Sequence, residues 1–255
     1  MNKPGVDLDA ARAAASGVTY TKGGTTPHFA VYYDPAAPNG AIIASALAQT
    51  SEADLTQLEG IFGITPTGLP FSLYVDTGTF GAYHNSCADT ALHLAAYDGS
   101  NSDLVRMLMV AEADEVLMAD QDRGWNCGDS AGEGLSRVLA TLAYPAQLDG
   151  FASASSWLNS ARNDYVTQSE ATDQDYTSIG CATLFINYLT HQLGYSINDV
   201  VRAGGTSLAA TCALLTGTPA ADAFGPFAAL LAQYFPPGQQ ATLSDDNPFP
   251  WGHSA

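Results

Sequence analysis

The chain has 255 residues and a formal net charge of −18, because 26 acidic residues stand against 8 Lys and Arg. Such a chain lacks the basic surface that a nucleic acid or an anionic lipid requires, so the sequence predicts neither a nucleic-acid-binding nor a membrane-docking protein. Its 46% of hydrophobic residues can fill a large core, and no apolar run reaches the ~18 residues of a membrane span.

The first half of the chain alternates predicted strands and helices. Phe71, Leu73 and Val75 alternate with polar residues, which is the pattern of a half-buried strand. Strands are predicted over residues 28–34, 70–76 and 90–97, with one or two helices over residues 41–63 and a loop over residues 77–89.

The second half is predicted to be helical. Asp103 is the predicted N-cap of a helix that runs to about Gln121, and Ser196 with Asp199 resembles a capping box. Further helices are predicted from Ser130 to before Pro145 and over residues 178–193, 196–204, 207–216 and 220–235, with a polar loop over residues 157–175 and an extended tail from Gly238.

A small mixed sheet followed by a mainly helical part is an α+β layout. We expect residues 1–255 to form a single unit, with residues 1–122 and 123–255 as the natural subdivision.

Four cysteines occur without any CxxC spacing, a pattern that fits disulfides better than a zinc site. We expect the pairs Cys87–Cys127 and Cys181–Cys212, since each would join neighbouring segments; four buried thiols are the alternative. Disulfides and a Lys-poor, acidic composition predict a secreted or periplasmic protein.

Two glutamates occupy an apolar face of the helix that begins near Asp103. At helical spacing Glu115 follows Leu104, Leu108 and Ala111, and Glu112 lies on the adjacent apolar stripe. Buried carboxylates are costly, so a pair of them suggests a cation site or acid–base chemistry. Alternatively, the helix is amphipathic and only partly buried. Asp114 and Asp120 lie further round the helix and are predicted to face solvent.

Glu133 is the third candidate carboxylate. Ser130-Ala131-Gly132-Glu133 matches a capping box, in which Glu133 would only bind its own helix terminus, and Asp129 is a second possible cap. The alternative is that Glu133 meets Glu112 and Glu115 in one cleft, where like charges raise at least one pKa.

The segment 110–115, Val-Ala-Glu-Ala-Asp-Glu, followed by Gly132-Glu133-Gly134, resembles the gluzincin branch of the zincin metallopeptidases. In that family one helix carries His-Glu-x-x-His and a second helix supplies a Glu. The resemblance covers about residues 70–235. It implies a zincin-like fold, Glu112 as the general base, and residues 90–97 as the edge strand that binds a peptide.

The chain departs from that family at the metal ligands. Ala111 would take the place of the first ligand and Glu115 that of the second, with Glu133 as the third. We therefore predict no resident cofactor and no stoichiometric zinc, with a divalent cation on oxygen ligands as the alternative. If a metal does bind, His84 and His93 are the imidazole donors to test.

Aromatic residues in or near loops suggest a second class of ligand. Trp125, Trp157, Tyr176 and Tyr188 together with acidic residues would suit a sugar-binding cleft, whereas ordinary core packing is the alternative.

The sequence thus predicts a secreted hydrolase-like protein that cleaves peptides with Glu112, Glu115 and Glu133 as its catalytic residues. The alternatives are a glycoside hydrolase with paired Glu residues, acting on a polysaccharide, and a non-catalytic protein that only binds.

Overall fold

The computed structural model describes residues 18–78, 81–147, 152–172, 174–243 and 246–249. It confirms the α+β class, with a five-stranded mixed sheet followed by a mostly helical part. The strands are β1 (Thr21–Thr25), β2 (Phe29–Tyr33), β3 (Phe71–Thr77), β4 (Ala82–Tyr83) and β5 (Ala91–Ala96). The α-helices are α1 (Gly40–Phe62), α2 (Ser102–Gln121), α3 (Ser130–Ala143), α4 (Ala154–Leu158), α5 (Tyr176–His191), α6 (Ile197–Ala203), α7 (Leu208–Thr216) and α8 (Phe224–Tyr234).

The strand order in the sheet is β1-β2-β3-β5-β4, with β2, β3 and β5 parallel and the two outer strands antiparallel. The three predicted strands are confirmed. The prediction that residues 90–97 form the edge was wrong, because the short strand β4 within the predicted loop pairs Tyr83 with His93 and takes the edge itself.

Strand β1 was missed because its sequence, Thr-Lys-Gly-Gly-Thr, carries no alternation of apolar residues. Its glycines have a packing role that the pattern does not reveal. A Cβ on Gly23 would lie 2.5 Å from the Cβ of Ala44, so the glycine lets helix α1 approach the sheet closely.

The two faces of the sheet differ in character. Phe71, Leu73 and Val75 are fully buried in the core. On the other face, the rings of Tyr32, Tyr74, His93 and Tyr83 stack in a row across neighbouring strands, with centroids 4.7–5.3 Å apart. The hydrophobic core therefore begins between the sheet and the helices and continues between the helices of the second half.

Most predicted helices are confirmed, with differences at their ends. Asn101, rather than Asp103, is the N-cap of α2, and its side chain accepts a hydrogen bond from the Leu104 N–H at 2.8 Å. The capping box of Ser196 and Asp199 is present at α6. Two predictions missed a short element. Trp157, predicted at the start of a loop, belongs to the short helix α4. The helix predicted over residues 220–235 is divided into a 3₁₀ turn at Ala220–Asp222 and helix α8.

Within the described residues, no helix combines the length and the hydrophobicity needed to cross a membrane.

One of the two predicted disulfides is present. Cys87 and Cys127 are bonded, whereas Cys181 and Cys212 are free and buried, so the prediction of a second bridge was wrong. Cys181 lies on α5, which packs mainly against α3 and α4, while Cys212 lies on α7. Burial raises the pKa of both free thiols and keeps them in the unreactive thiol form.

The thiol count follows from this arrangement. Under denaturing conditions without a reductant, we expect alkylation of two cysteines, Cys181 and Cys212, and alkylation of all four after reduction. Intact mass and peptide mapping measure both states. Alkylation of no residue before reduction would mean that the second bridge exists after all.

Candidate functional site

A cleft of about 730 Å³ lies between strand β4 with its following loop, helix α2 and the start of helix α3. The three predicted carboxylates all line this cleft, although they come from two helices. Its principal polar and aromatic lining residues are His84, Glu112, Glu115, Glu133, Arg137 and Tyr176.

Helix α2 supplies Glu112 and Glu115 from a position that is buried on nearly every side. Thirteen of its twenty residues are buried, which explains why side chains on several of its faces are desolvated. Asp114 is completely buried, so the prediction that it faces solvent was wrong. Asp120 is only partly buried and accepts hydrogen bonds from the N–H and the hydroxyl of Thr67.

Helix α3 brings Glu133 to the cleft. Its N-cap is Asp129, whose Oδ1 accepts from the N–H groups of Ala131 and Gly132 at 2.9 and 3.1 Å. Asp129, the second cap that the sequence offered, is therefore confirmed, and the alternative capping box of Ser130 and Glu133 does not form. The side chain of Glu133 lines the cleft instead.

The glycines on either side of Glu133 allow close packing. A Cβ on Gly132 would lie 1.9 Å from the carbonyl oxygen of Asn126, and one on Gly134 would lie 2.6 Å from the Cβ of Ala182 on α5. The hydroxyl of Ser136 also donates to the carbonyl oxygen of Ala111 at 2.9 Å, which joins α3 to α2. This close packing sets Glu133 beside the carboxylates of α2.

His84 follows strand β4 and connects the sheet edge with the carboxylates. Its Nε2 lies 2.8 Å from Oε2 of Glu115 and 3.9 Å from Oε2 of Glu112. Its Nδ1 lies 3.2 Å from the carbonyl oxygen of Asp89, which can only accept a hydrogen bond. Nδ1 therefore carries a proton, and Nε2 is the nitrogen that faces the glutamates.

The loop that carries His84 is fixed at two points. The carboxylate of Asp89 accepts from the side-chain amide of Asn85 at 2.9 Å and from the Ala91 N–H at 3.0 Å. The Cys87–Cys127 disulfide then ties this loop to the segment between α2 and α3. Cys87 and Cys127 both line the cleft.

The electrostatics of the cleft favour a retained proton. Burial, followed by the charge of Glu115 and to a smaller extent that of Glu133, raises the pKa of Glu112 to about 8, while His84 opposes the rise. Burial, followed by the charges of Glu115, Glu112 and Glu133, also raises the pKa of Asp114 well above its ordinary range. A carboxyl group that titrates near neutral pH in a cleft is suited to proton transfer.

Helix α3 also brings one positively charged side chain to the cleft. Arg137 is buried, lines the cleft and lies over the ring of Tyr176, with its guanidinium carbon 4.9 Å from the ring centroid. It lies one helical turn after Glu133, and this i, i+4 spacing was the sequence signal that could have identified it.

Only one of the four aromatic residues predicted to bind a ligand lines the cleft. Tyr176 lines the cleft, whereas Trp125, Trp157 and Tyr188 are buried in the core. Trp157 stacks on Phe227, and the indole N–H of Trp125 donates to the carbonyl oxygen of Val201. These three residues therefore do not reach the cleft, and the core-packing alternative describes them.

His93, the second imidazole considered as a metal donor, is not among the residues that line the cleft. Its Nδ1 lies 2.7 Å from Asp76, and its ring is stacked between Tyr74 and Tyr83 on the outer face of the sheet.

No family model matches the chain, and no curated protein matches it either. The chemistry of the cleft therefore has to be argued from its own residues.

The close packing of α3 predicts opposite effects for two helix glycines. We expect Gly134→Ala to destabilise the fold by about 1–3 kcal/mol, because its Cβ overlaps Ala182. Gly60→Ala in α1 is the matched control, since nothing lies within 4 Å of its Cβ, and it should stabilise by about 0.5–1 kcal/mol. Urea unfolding measures both, and an equal effect of the two changes would contradict this packing.

The raised pKa of Glu112 predicts a specific pH dependence of stability. Between the ordinary glutamate pKa of about 4.3 and the folded value of about 8, the folded chain keeps a proton that the unfolded chain releases. Stability therefore falls as the pH rises through that window. Glu112→Gln removes this loss, so the free energy of unfolding at pH 7 should increase by about 1–3 kcal/mol.

Chemical unfolding at pH 5, 6, 7 and 8 measures the effect. Asp122→Asn is the control, because Asp122 is an exposed C-cap on the same helix with a left-handed backbone that Asn tolerates. An unchanged pH slope in Glu112→Gln would show that the carboxyl of Glu112 ionises normally.

Proposed function

We propose that the protein is a hydrolase that cleaves peptide bonds in the cleft with Glu112 as the proton-transfer group. The observation that carries the proposal is the convergence of Glu112, Glu115, Glu133 and His84, from two helices and the sheet edge, on one cleft. Glu115, Glu133 and His84 are titratable groups that act on Glu112, and Asp114 on the same helix is coupled to it as well.

The proposed chemistry divides the work between Glu112 and its neighbours. An ionised Glu112 takes a proton from a water molecule, the water attacks the substrate carbonyl, and Glu112 returns the proton to the departing amine. Arg137 supplies a fixed positive charge for the oxygen that becomes negative. His84 and Glu115 share a proton and hold the wall of the cleft in place.

A peptide suits the cleft because strand β4 borders it and forms an edge of the sheet. An extended segment can pair with such an edge through main-chain hydrogen bonds. The resemblance of residues 110–115 and 132–134 to the gluzincins points to the same class of substrate.

The zinc of the gluzincins is not part of this proposal. The residue at the first ligand position is Ala111, whose methyl group lines the cleft and offers no donor atom. The residues at positions 111, 115 and 133 therefore do not fit the family's zinc, and the mechanism contains no step at a metal.

We also propose that the protein works outside the reducing cytosol. The Cys87–Cys127 disulfide at the cleft and the acidic, Lys-poor composition support secretion or export to a periplasm.

A glycoside hydrolase is the second candidate. It is favoured by the rings of Tyr83 and Tyr176, which line the cleft and are 47% and 42% exposed, as the aromatic platforms of a sugar site are. There a protonated Glu112 would act as the general acid on the glycosidic oxygen.

The shape of the pH profile distinguishes the two candidates. If Glu112 is the base of a peptidase, kcat/KM for labelled unfolded protein should rise up to about pH 8 and level off above it. If it is the acid of a glycosidase, kcat/KM on a soluble polysaccharide should fall above that pH. Glu112→Gln should lower kcat by about 10²- to 10⁴-fold in either case.

Asp122→Asn should retain full activity. Because Glu112→Gln is expected to be at least as stable as the parent protein at pH 7, a loss of activity cannot be attributed to unfolding. Activity that survives in Glu112→Gln on both substrate classes would overturn the proposal.

A further inference from the structure

The disulfide lies directly beside the donor atoms of the cleft. Nε2 of His84, a carboxylate oxygen of Glu115 and Sγ of Cys127 all lie within 4.8 Å of one another. Nitrogen, oxygen and sulfur donors from three separate segments thus meet at one point. As long as Cys127 is bonded to Cys87, its sulfur is not a thiolate and is a poor ligand.

The imidazole is already oriented as a ligand. Nδ1 of His84 donates to the carbonyl oxygen of Asp89, which leaves Nε2 directed at Glu115. Metal-binding histidines usually have this arrangement, because a hydrogen bond from the second ring nitrogen fixes the tautomer and the ring plane. The side chains of His84 and Glu115 are only 6% and 9% exposed, so binding a metal ion would require little further ordering of either side chain.

We propose that reduction of the Cys87–Cys127 disulfide opens a zinc site made of His84, Glu115 and Cys127. The disulfide then acts as a redox-controlled block on the site. This inference goes beyond the proposed hydrolysis and does not depend on it, since metal binding is measured without any substrate.

The redox step balances with an external dithiol as the reductant. One dithiol sulfur attacks Sγ of Cys87 and Cys127 leaves as a thiolate; the second dithiol sulfur then closes its own disulfide and releases Cys87. The dithiol is oxidised by two electrons, the protein disulfide is reduced by two, and two protons are transferred. Cys87 is partly exposed, whereas Cys127 is only 9% exposed, so we assign the attack to Cys87.

The donor set favours zinc over harder cations. Thiolate, imidazole and carboxylate are the three protein ligands that zinc uses, in tetrahedral sites that hold the ligand atoms roughly 3–4 Å apart. Magnesium and calcium prefer oxygen donors alone. A fourth position stays open for water beside Glu112, whose Oε2 lies 3.9 Å from Nε2 of His84.

Two single variants separate the sulfur ligand from the broken bridge. Cys87→Ser and Cys127→Ser both lack the disulfide, but only Cys87→Ser keeps the sulfur that faces His84 and Glu115. The full-length variants are compared with the oxidised protein and with protein that was reduced by a dithiol and freed of it without oxygen. Zinc affinity is measured by competition with a chromophoric chelator, and circular dichroism verifies that each variant is folded.

We expect one zinc ion per chain in Cys87→Ser and in the reduced protein, bound at least about tenfold more tightly than in the oxidised protein or in Cys127→Ser. Cobalt in place of zinc should show a thiolate-to-metal charge-transfer band in the first pair only. Adding His84→Gln or Glu115→Gln to Cys87→Ser should abolish the gain in affinity.

Three results would overturn the inference. These are equal zinc affinity of the oxidised and the reduced protein, equal affinity of Cys87→Ser and Cys127→Ser, and cobalt binding without a thiolate band. If Cys87→Ser does not fold, the chemically reduced parent protein provides the same comparison. Loss of hydrolysis in Glu112→Gln leaves all of these measurements unchanged, so the two proposals fail separately.

Discussion

The burial of helix α2 on nearly every side is the constraint on which the rest of the structure depends. The helix packs against strand β5 of the sheet, helix α1 and helix α3. Any carboxylate on its central turns therefore either opens onto a cleft, as Glu112 and Glu115 do, or is sealed inside, as Asp114 is. The glycines of α3 let it pack closely on Asn126 and on Ala182 of α5, and the hydroxyl of Ser136 joins it to α2, which places Glu133 in the same cleft as the glutamates of α2.

Much of the fold could be predicted because local pattern and tertiary environment agree there. The alternation of Phe71, Leu73 and Val75 and the capping box at Ser196 are short-range features, and both appear in the structure as predicted. Strand β4 and the edge position could not be predicted in this way. A two-residue strand carries no periodicity, and its place follows only from pairing with β5 across a loop.

The candidate site was predicted in part, and the errors share a physical origin. The helical stripe placed Glu112 and Glu115 side by side, and both line one cleft, but it assumed that α2 has a solvent-exposed side, which misplaced Asp114. Trp157 and Tyr188 were assigned to a ligand because they flank loops, yet they fill the core between α4, α5 and α8. The contact between His84 and Glu115 joins residues 31 positions apart in the sequence, so no local sequence pattern could have predicted it.

The disulfide also makes the cleft part of a covalent ring. The bond joins residues 40 positions apart, and the ring encloses β5 and α2 together with Glu112 and Glu115. A pulling force applied to the two ends of the chain would be transmitted through the disulfide, and the segment between Cys87 and Cys127 would not be stretched. About 140 Å of chain length would therefore be missing from a fully stretched molecule, at about 3.5 Å per residue. The segment that carries the acidic residues is thus shielded from mechanical load for as long as the bridge stays intact.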